Sequence, residues 1–309
     1  MPANFFASEG VRSFLNLAYP YTTVENTINT VDGISYGINY GGAIPIGMGN
    51  YYPENISWPD ADPVPGSTAV GSASWWWTEM NTAGSPYYDP YVATHCSAAN
   101  PCVFPIIGEL GTPSLDATIQ LWIHEIALLS GGALEPNTFD LSFGELYTIT
   151  VSSTPGSNPL PVYTLGWAPD YPDPTDYVPT LWTNGSYGLP DSSYYTFSQA
   201  AYNNASCGNL DNLPYWAAQA QVPEDCQGVA FMTMDHWIGI AGSMATGPQR
   251  VLVYNMVEHI AAALSLTQYT DQANAVITYA PWINPASINL NPVSGGPTLY
   301  YTLQGNGVV

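Results

Sequence analysis

The sequence predicts an α/β fold. Three observations carry that expectation: a long run with apolar residues at helical spacing, shorter runs that alternate or are uniformly apolar, and the interleaving of the two kinds along the chain. With 309 residues, 46% of them hydrophobic, the chain can bury a substantial core as one large domain or two modest ones.

Residues 8–18, SEGVRSFLNLA, read as a short helix. Ser8 stands at its cap, Glu9 in its first turn, and Val11, Phe14, Leu15 and Ala18 on one face; Pro20 ends it. A glycine-rich loop follows over residues 40–59, then an irregular aromatic stretch, SASWWWTEMNTAGSPYYDPY, over residues 72–91. Residues 113–129, PSLDATIQLWIHEIALL, form the clearest helix. Leu115, Ile119, Trp122, Ile123, Ile126 and Leu129 recur on one face, and Gly131–Gly132 stop it. ELYTITVSS (145–153) and PVYTLGW (161–167) alternate as strands do. Residues 249–266 are a second strong helix, NAVITYAPW (274–282) is a buried strand, and TLYYTLQG (298–305) is a candidate last strand.

The charge balance is unusual. Lys+Arg total 2, Arg12 and Arg250, against 24 Asp+Glu, for a formal charge of −22. Two cations cannot neutralise a phosphate backbone or seat the chain on an anionic membrane, which excludes nucleic-acid binding as a function. Only 8% of residues are charged, where about 25% is usual. In strong acid the carboxylates protonate, and a chain this poor in basic groups escapes the positive self-repulsion that unfolds ordinary proteins. An acid habitat is therefore expected; a neutral-pH surface protein kept soluble by negative charge is the alternative.

Four cysteines, Cys96 with Cys102 and Cys207 with Cys226, suggest two loop-clamping disulfides made in an oxidising, extracellular setting. Four cysteines allow three pairings, and a zinc site is the rival reading. Sequons at Asn55, Asn184 and Asn204 fit glycosylated surface loops. The opening residues, MPANFFASEGVRSF, carry neither a cationic head nor an apolar run, so an exported chain implies a signal upstream.

Catalytic motifs are weak. Gly33–Gly37, GISYG, matches the spacing of a nucleophile elbow, but glycines and prolines follow it instead of a helix. His124–Glu125 opens a zinc-protease motif without its second histidine. His95, His236 and His259 complete no set, and no enzyme, metal or cofactor is expected. Ten Trp and 23 Tyr suit ligand clefts and interfaces as well as cores.

One segment carries a resemblance. LGWAPDYPDPTDYVPTLW (165–182) resembles the GW-x-x-D-Y-P-D-P signature of family 5 extracellular solute-binding proteins, the oligopeptide-, dipeptide- and nickel-binding subunits of ABC importers. In order along the chain, residues 5–28, GGAIPIG (41–47), YYDPYVA (87–93), residues 117–143, residues 249–264 and NAVITYAPW are similar to successive pieces of that family. AYPYT (18–22) departs from it, lacking the family's acidic and basic pair.

The resemblance implies a periplasmic-binding-protein-like class II fold. It places residues 1–270 in the second, C-terminal lobe and 271–309 in the C-terminal return into the first, with the N-terminal lobe absent. It implies peptide or other small-solute binding outside the cell, at the cell surface, with the importer's membrane subunits as partners. Trp167, Asp170 and Tyr171 would line the ligand cleft, Asp170 taking the α-ammonium of a peptide, while Pro169, Pro172 and Pro174 stiffen the loop and Asp173 caps a turn. A lobe working alone would instead bare an aromatic face, and self-association into a ring, filament or tube is the alternative function.

Overall fold

The computed structural model describes residues 5–39, 41–52, 61–152, 159–167, 169–183, 196–197 and 232–273. Asn55, Asn184, Asn204, Cys207, Cys226 and the expected strands at 274–282 and 298–305 lie outside the described residues.

The chain starts with α1 (Glu9–Leu17), whose Val11, Phe14 and Leu15 are buried as the periodicity predicts. Ser8 occupies the cap position, but its side chain makes no capping bond. Pro20 does end this helix, and a second, α2 (Tyr21–Thr27), begins immediately after it. Proline is tolerated there because its missing N–H falls among donors that a helix start leaves unpaired. The short strands β1 (Thr30–Val31) and β2 (Ile34–Ser35) pair as a hairpin, followed by β3 (Gly37–Ile38).

The aromatic stretch read as irregular is in fact helical. Ala73–Asn81 forms α3, capped by Ser72 Oγ, which accepts the Trp75 amide at 3.2 Å. Three consecutive tryptophans hide a helical period, and contact with α1 decides the matter. The two helices cross so closely that a Cβ on Gly10 would stand 2.5 Å from Met80 Cγ. Pro90–His95 forms α4, with Asp89 Oδ1 accepting the Tyr91 and Val92 amides at 2.9 and 3.0 Å.

A three-stranded parallel sheet follows, in the order β5 (Asn137–Leu141), β4 (Pro105–Glu109), β6 (Val162–Tyr163). The central strand is buried on both faces, at Ile106 and Ile107. The expected long helix, α5 (Pro113–Leu129), carries the chain from β4 to β5; it stops at Gly131 and Gly132, whose φ values of 63° and 79° favour glycine.

Of residues 145–153, expected as a strand, 145–152 belong instead to helix α6 (Phe143–Ser152). Topology overrides β-propensity here. β5 and β6 both run parallel to β4, and a parallel return needs a crossover. Leu146 and Thr150, one helical turn apart, are both fully buried. A capping box opens α6: Ser142 N–H donates to Glu145 Oε2 at 3.0 Å, and Glu145 N–H donates to Ser142 Oγ at 3.3 Å.

A second group of helices comprises a 3-10 turn (Ile46–Tyr51), α7 (Val178–Trp182), α8 (Met234–Ser243) and α9 (Pro248–Ala263). α8, capped by Thr233 Oγ1 on the His236 amide at 3.2 Å, has no counterpart in the sequence reading. The apolar residues form two clusters. One joins α1, α3, α5 and the sheet; the other joins α7, α8 and α9 around Ile44, Trp182 and Tyr254.

Polar bonds from α1 tie the second cluster to the first: Arg12 Nε to the Leu264 carbonyl at 3.1 Å, Ser13 Oγ to Ser265 Oγ at 3.1 Å, and Asn16 Nδ2 to the Thr267 carbonyl at 3.4 Å. Near the expected boundary at residue 271, a short strand (Gln272–Ala273) pairs antiparallel with β3. Cys96 and Cys102 form a disulfide with a Cα–Cα distance of 5.1 Å. Among the described residues no helix is long and apolar enough to cross a membrane.

Candidate ligand-binding loop

The segment from β6 to α7 leaves the carboxyl end of the parallel sheet, where α/β folds place their ligands. Thr164 anchors its start: its N–H and its Oγ1 both donate to the Ile107 carbonyl, at 3.0 and 3.2 Å. Trp167 is half-buried and packs against the α7–α9 cluster. Asp170 and Tyr171 are exposed, Tyr171 to 48%.

Two carboxylates shape the loop. Asp176, only 6% exposed, accepts the backbone N–H groups of Asp170 and Tyr171 on its Oδ2, the latter at 3.0 Å. Asp173 caps the 3-10 turn Pro174–Asp176, as the sequence suggests, its Oδ1 accepting Thr175 N–H at 3.0 Å and Thr175 Oγ1 at 2.7 Å.

Asp173 has a further partner that sequence reasoning missed. Arg250 of α9 grips it with two hydrogen bonds, Nη1 to Oδ2 at 2.8 Å and Nη2 to Oδ1 at 2.6 Å. The arginine bonds lower the Asp173 pKa to about 2, against the pull of burial and with help from Thr175. Arg250 itself is 4% exposed. A signal for this pair was present: Arg250 shares an apolar helical stripe with Val253, Tyr254 and Val257, and a buried guanidinium requires a carboxylate.

Glu258, two turns further along α9, is also buried. Its carboxyl accepts the Ala43 N–H at 2.8 Å and the Ile44 N–H at 3.2 Å, pinning the glycine-rich loop. Burial raises its pKa to about 8, and the two backbone bonds only partly oppose that.

The chain's other cation, Arg12, donates to the carbonyls of Phe6, Ala7 and Leu264. Both arginines are thus committed to protein groups, while the exposed charge on the candidate loop is a carboxylate.

The alternative sites do not assemble. Ser35 lies in a hairpin, its Oγ donating to the Gly37 carbonyl at 2.7 Å, and no helix follows it as a nucleophile elbow requires. His95 stacks on Tyr91 at 4.5 Å and bonds Thr94 Oγ1 through Nδ1 at 2.8 Å. Among the described residues no group of three or more His, Cys, Asp or Glu could hold a metal ion.

No family model matches the chain, and no curated protein sequence matches it. Solved structures do. HbpA2 from Haemophilus parasuis superposes with a TM-score of 0.60 at 13% identity, over 99% of this chain and 46% of that one. OppA from Haemophilus influenzae, solved in complex with the peptide RPPGFSPFR, gives 0.54 at 13% identity over 97% and 46%. The ABC transporter substrate-binding protein CtaP from Listeria monocytogenes gives 0.55 at 10% identity over 86% and 41%.

The fold is therefore that of the class II periplasmic-binding proteins, in the form found among family 5 substrate-binding proteins of ABC importers. The chain spans less than half the length of these structures.

Proposed function

We propose that the chain is part of an extracellular solute-binding protein of an ABC importer, and that Trp167, Asp170 and Tyr171 receive the cationic amino end of a peptide or similar solute. The observation that carries this reading is the exposed Asp170 carboxylate, set on a loop whose backbone Asp176 pins, in a chain whose two arginines are both committed elsewhere. An ammonium suits such a carboxylate, whereas an anionic solute finds no free guanidinium. Trp167 and Tyr171 supply aromatic walls, with Tyr171 Oη 3.3 Å from Thr175 Oγ1. The role is binding without catalysis, outside the cell, with the importer's membrane subunits as partners.

Calorimetry with tri-alanine and N-acetyl-tri-alanine tests it. The free amine binds, and acetylation or Asp170→Asn weakens binding by roughly 10- to 100-fold, the worth of one charge-assisted hydrogen bond. Equal affinity for both peptides overturns the reading.

Self-association into a ring or filament is the second reading. It is supported by the outer sheet strand β5, where Phe139 is 57% exposed beside Phe143 and Tyr147, 51% and 44% exposed, whose rings stack at 6.1 Å. Native mass together with electron microscopy at acidic pH decides it: monomers alone dismiss assembly.

A further inference from the structure

We propose that Arg250 is a positioning residue for ligand recognition, holding residues 170–176 through Asp173 in the arrangement that presents Asp170 and Tyr171. The inference rests on the peptide-binding reading above.

Several segments converge on this one guanidinium. Nε donates to the Ala241 carbonyl in the last turn of α8 at 3.0 Å, and Nη1 donates to Tyr51 Oη at 3.3 Å. The rings of Tyr51 and Tyr254 lie 5.5 and 5.2 Å from Cζ. Two more donors, one on each Nη, go to Asp173, in the middle of the candidate loop. A planar fork fixes the orientation of a carboxylate as well as its distance, which a lysine's point charge does not.

Asp173 passes the constraint on. It holds Thr175 within the turn that ends at Asp176, whose carboxylate holds the Asp170 and Tyr171 amides. Pro172 and Pro174 stiffen the links between. A loop ordered before ligand arrives costs less to order on binding, so affinity depends on a residue that touches no ligand. The titratable groups that bonds, ring contacts and charge bring to this network are Tyr51 from the 3-10 turn, Tyr254 from α9 and Asp176 from the loop itself. Asp173 keeps its charge in acid that neutralises ordinary carboxylates, so the clamp holds where most carboxylates have lost theirs.

The test compares amide hydrogen-exchange protection at Asp170, Tyr171 and Thr175 in the native protein, Arg250→Lys and Asp173→Asn, alongside calorimetry with tri-alanine. Protection at the three amides falls about tenfold or more in both variants while α5 is unchanged, and tri-alanine affinity falls with it. In the native protein protection persists down to about pH 3 and is lost near pH 2, a step absent from Asp173→Asn. Asp173→Asn retains an oxygen for Thr175 and decides the matter if Arg250→Lys does not fold.

Unchanged loop protection in both variants overturns the proposal, as does a loosened loop with undiminished affinity. A native protein that binds neither tri-alanine nor its acetylated form defeats the peptide reading, and loop exchange then still shows whether Arg250 holds the loop.

Discussion

Glu258 and Ala43 stand 215 residues apart in sequence, yet the carboxyl of one accepts the amide of the other at 2.8 Å, with Glu258 only 1% exposed. Burial raises the pKa of this carboxyl to about 8 and that of Glu9, with Arg12 partly opposing, to about 7. A raised carboxyl pKa means that the folded state binds the proton more tightly than the unfolded one. The resulting stabilisation is complete below the unfolded pKa of about 4.5 and is lost as pH rises through 7 to 8. Asp173 works in the opposite sense, its contribution present above about 4 and lost as pH falls through about 2. Thermal unfolding should therefore show greatest stability near pH 4 and a decline towards pH 8. A midpoint that climbs steadily to neutral pH would refute this.

Glu258→Gln isolates the buried group. The amide is neutral like the protonated acid, but its NH2 cannot accept one of the two backbone N–H groups, so the variant should lose about 1–3 kcal/mol at pH 4. It should also show a flatter decline between pH 5 and 8 than the native protein. Urea unfolding at several pH values measures both, and an unchanged pH slope would place the proton elsewhere.

Gly10→Ala sets propensity against packing. In a free helix the change gains roughly 1 kcal/mol. Here the new methyl meets Met80 Cγ at 2.5 Å, and Met80 is fully buried. A net loss of about 1–3 kcal/mol is expected, the cost of overpacking. A stabilised variant in chemical denaturation would show that α1 and α3 can move apart.

Replacing Cys96 and Cys102 by serine opens a loop whose ends are 6 residues apart in sequence. The chain-entropy cost is about 2 kcal/mol. Exchange should rise at α4 and at Pro105–Glu109, with the loop around Asp170 unaffected. A global collapse would mean that the bridge holds more than its own loop.

The helix at 113–129 was plain in the sequence because its period, its proline start and its paired glycines agree with one another. The region around Leu146 and Thr150 was misread because threonine and β-branched residues favour strands, while the fact that β5 and β6 both run parallel to β4 is not encoded in any short window. The capping box at Ser142 and Glu145 was the local clue that such propensities outweighed. Trp167, Asp170 and Tyr171 are proposed as site residues on a signature in one continuous stretch. Asp176 and Arg250 were missed because their roles consist of contacts.

By itself the sequence determined the charge economy of this protein, two arginines and no lysine, together with its α/β class and the rigid acidic segment that resembles a solute-binding signature. These properties are additive or local, and each can be read within a few helical turns. Only the tertiary structure decided which carboxylate meets Arg250, 77 residues away, and which loop Glu258 holds. A buried charge is tolerated only where a partner arrives with the right geometry. That arrival depends on how α7, α8 and α9 pack, which no stretch of the chain specifies alone.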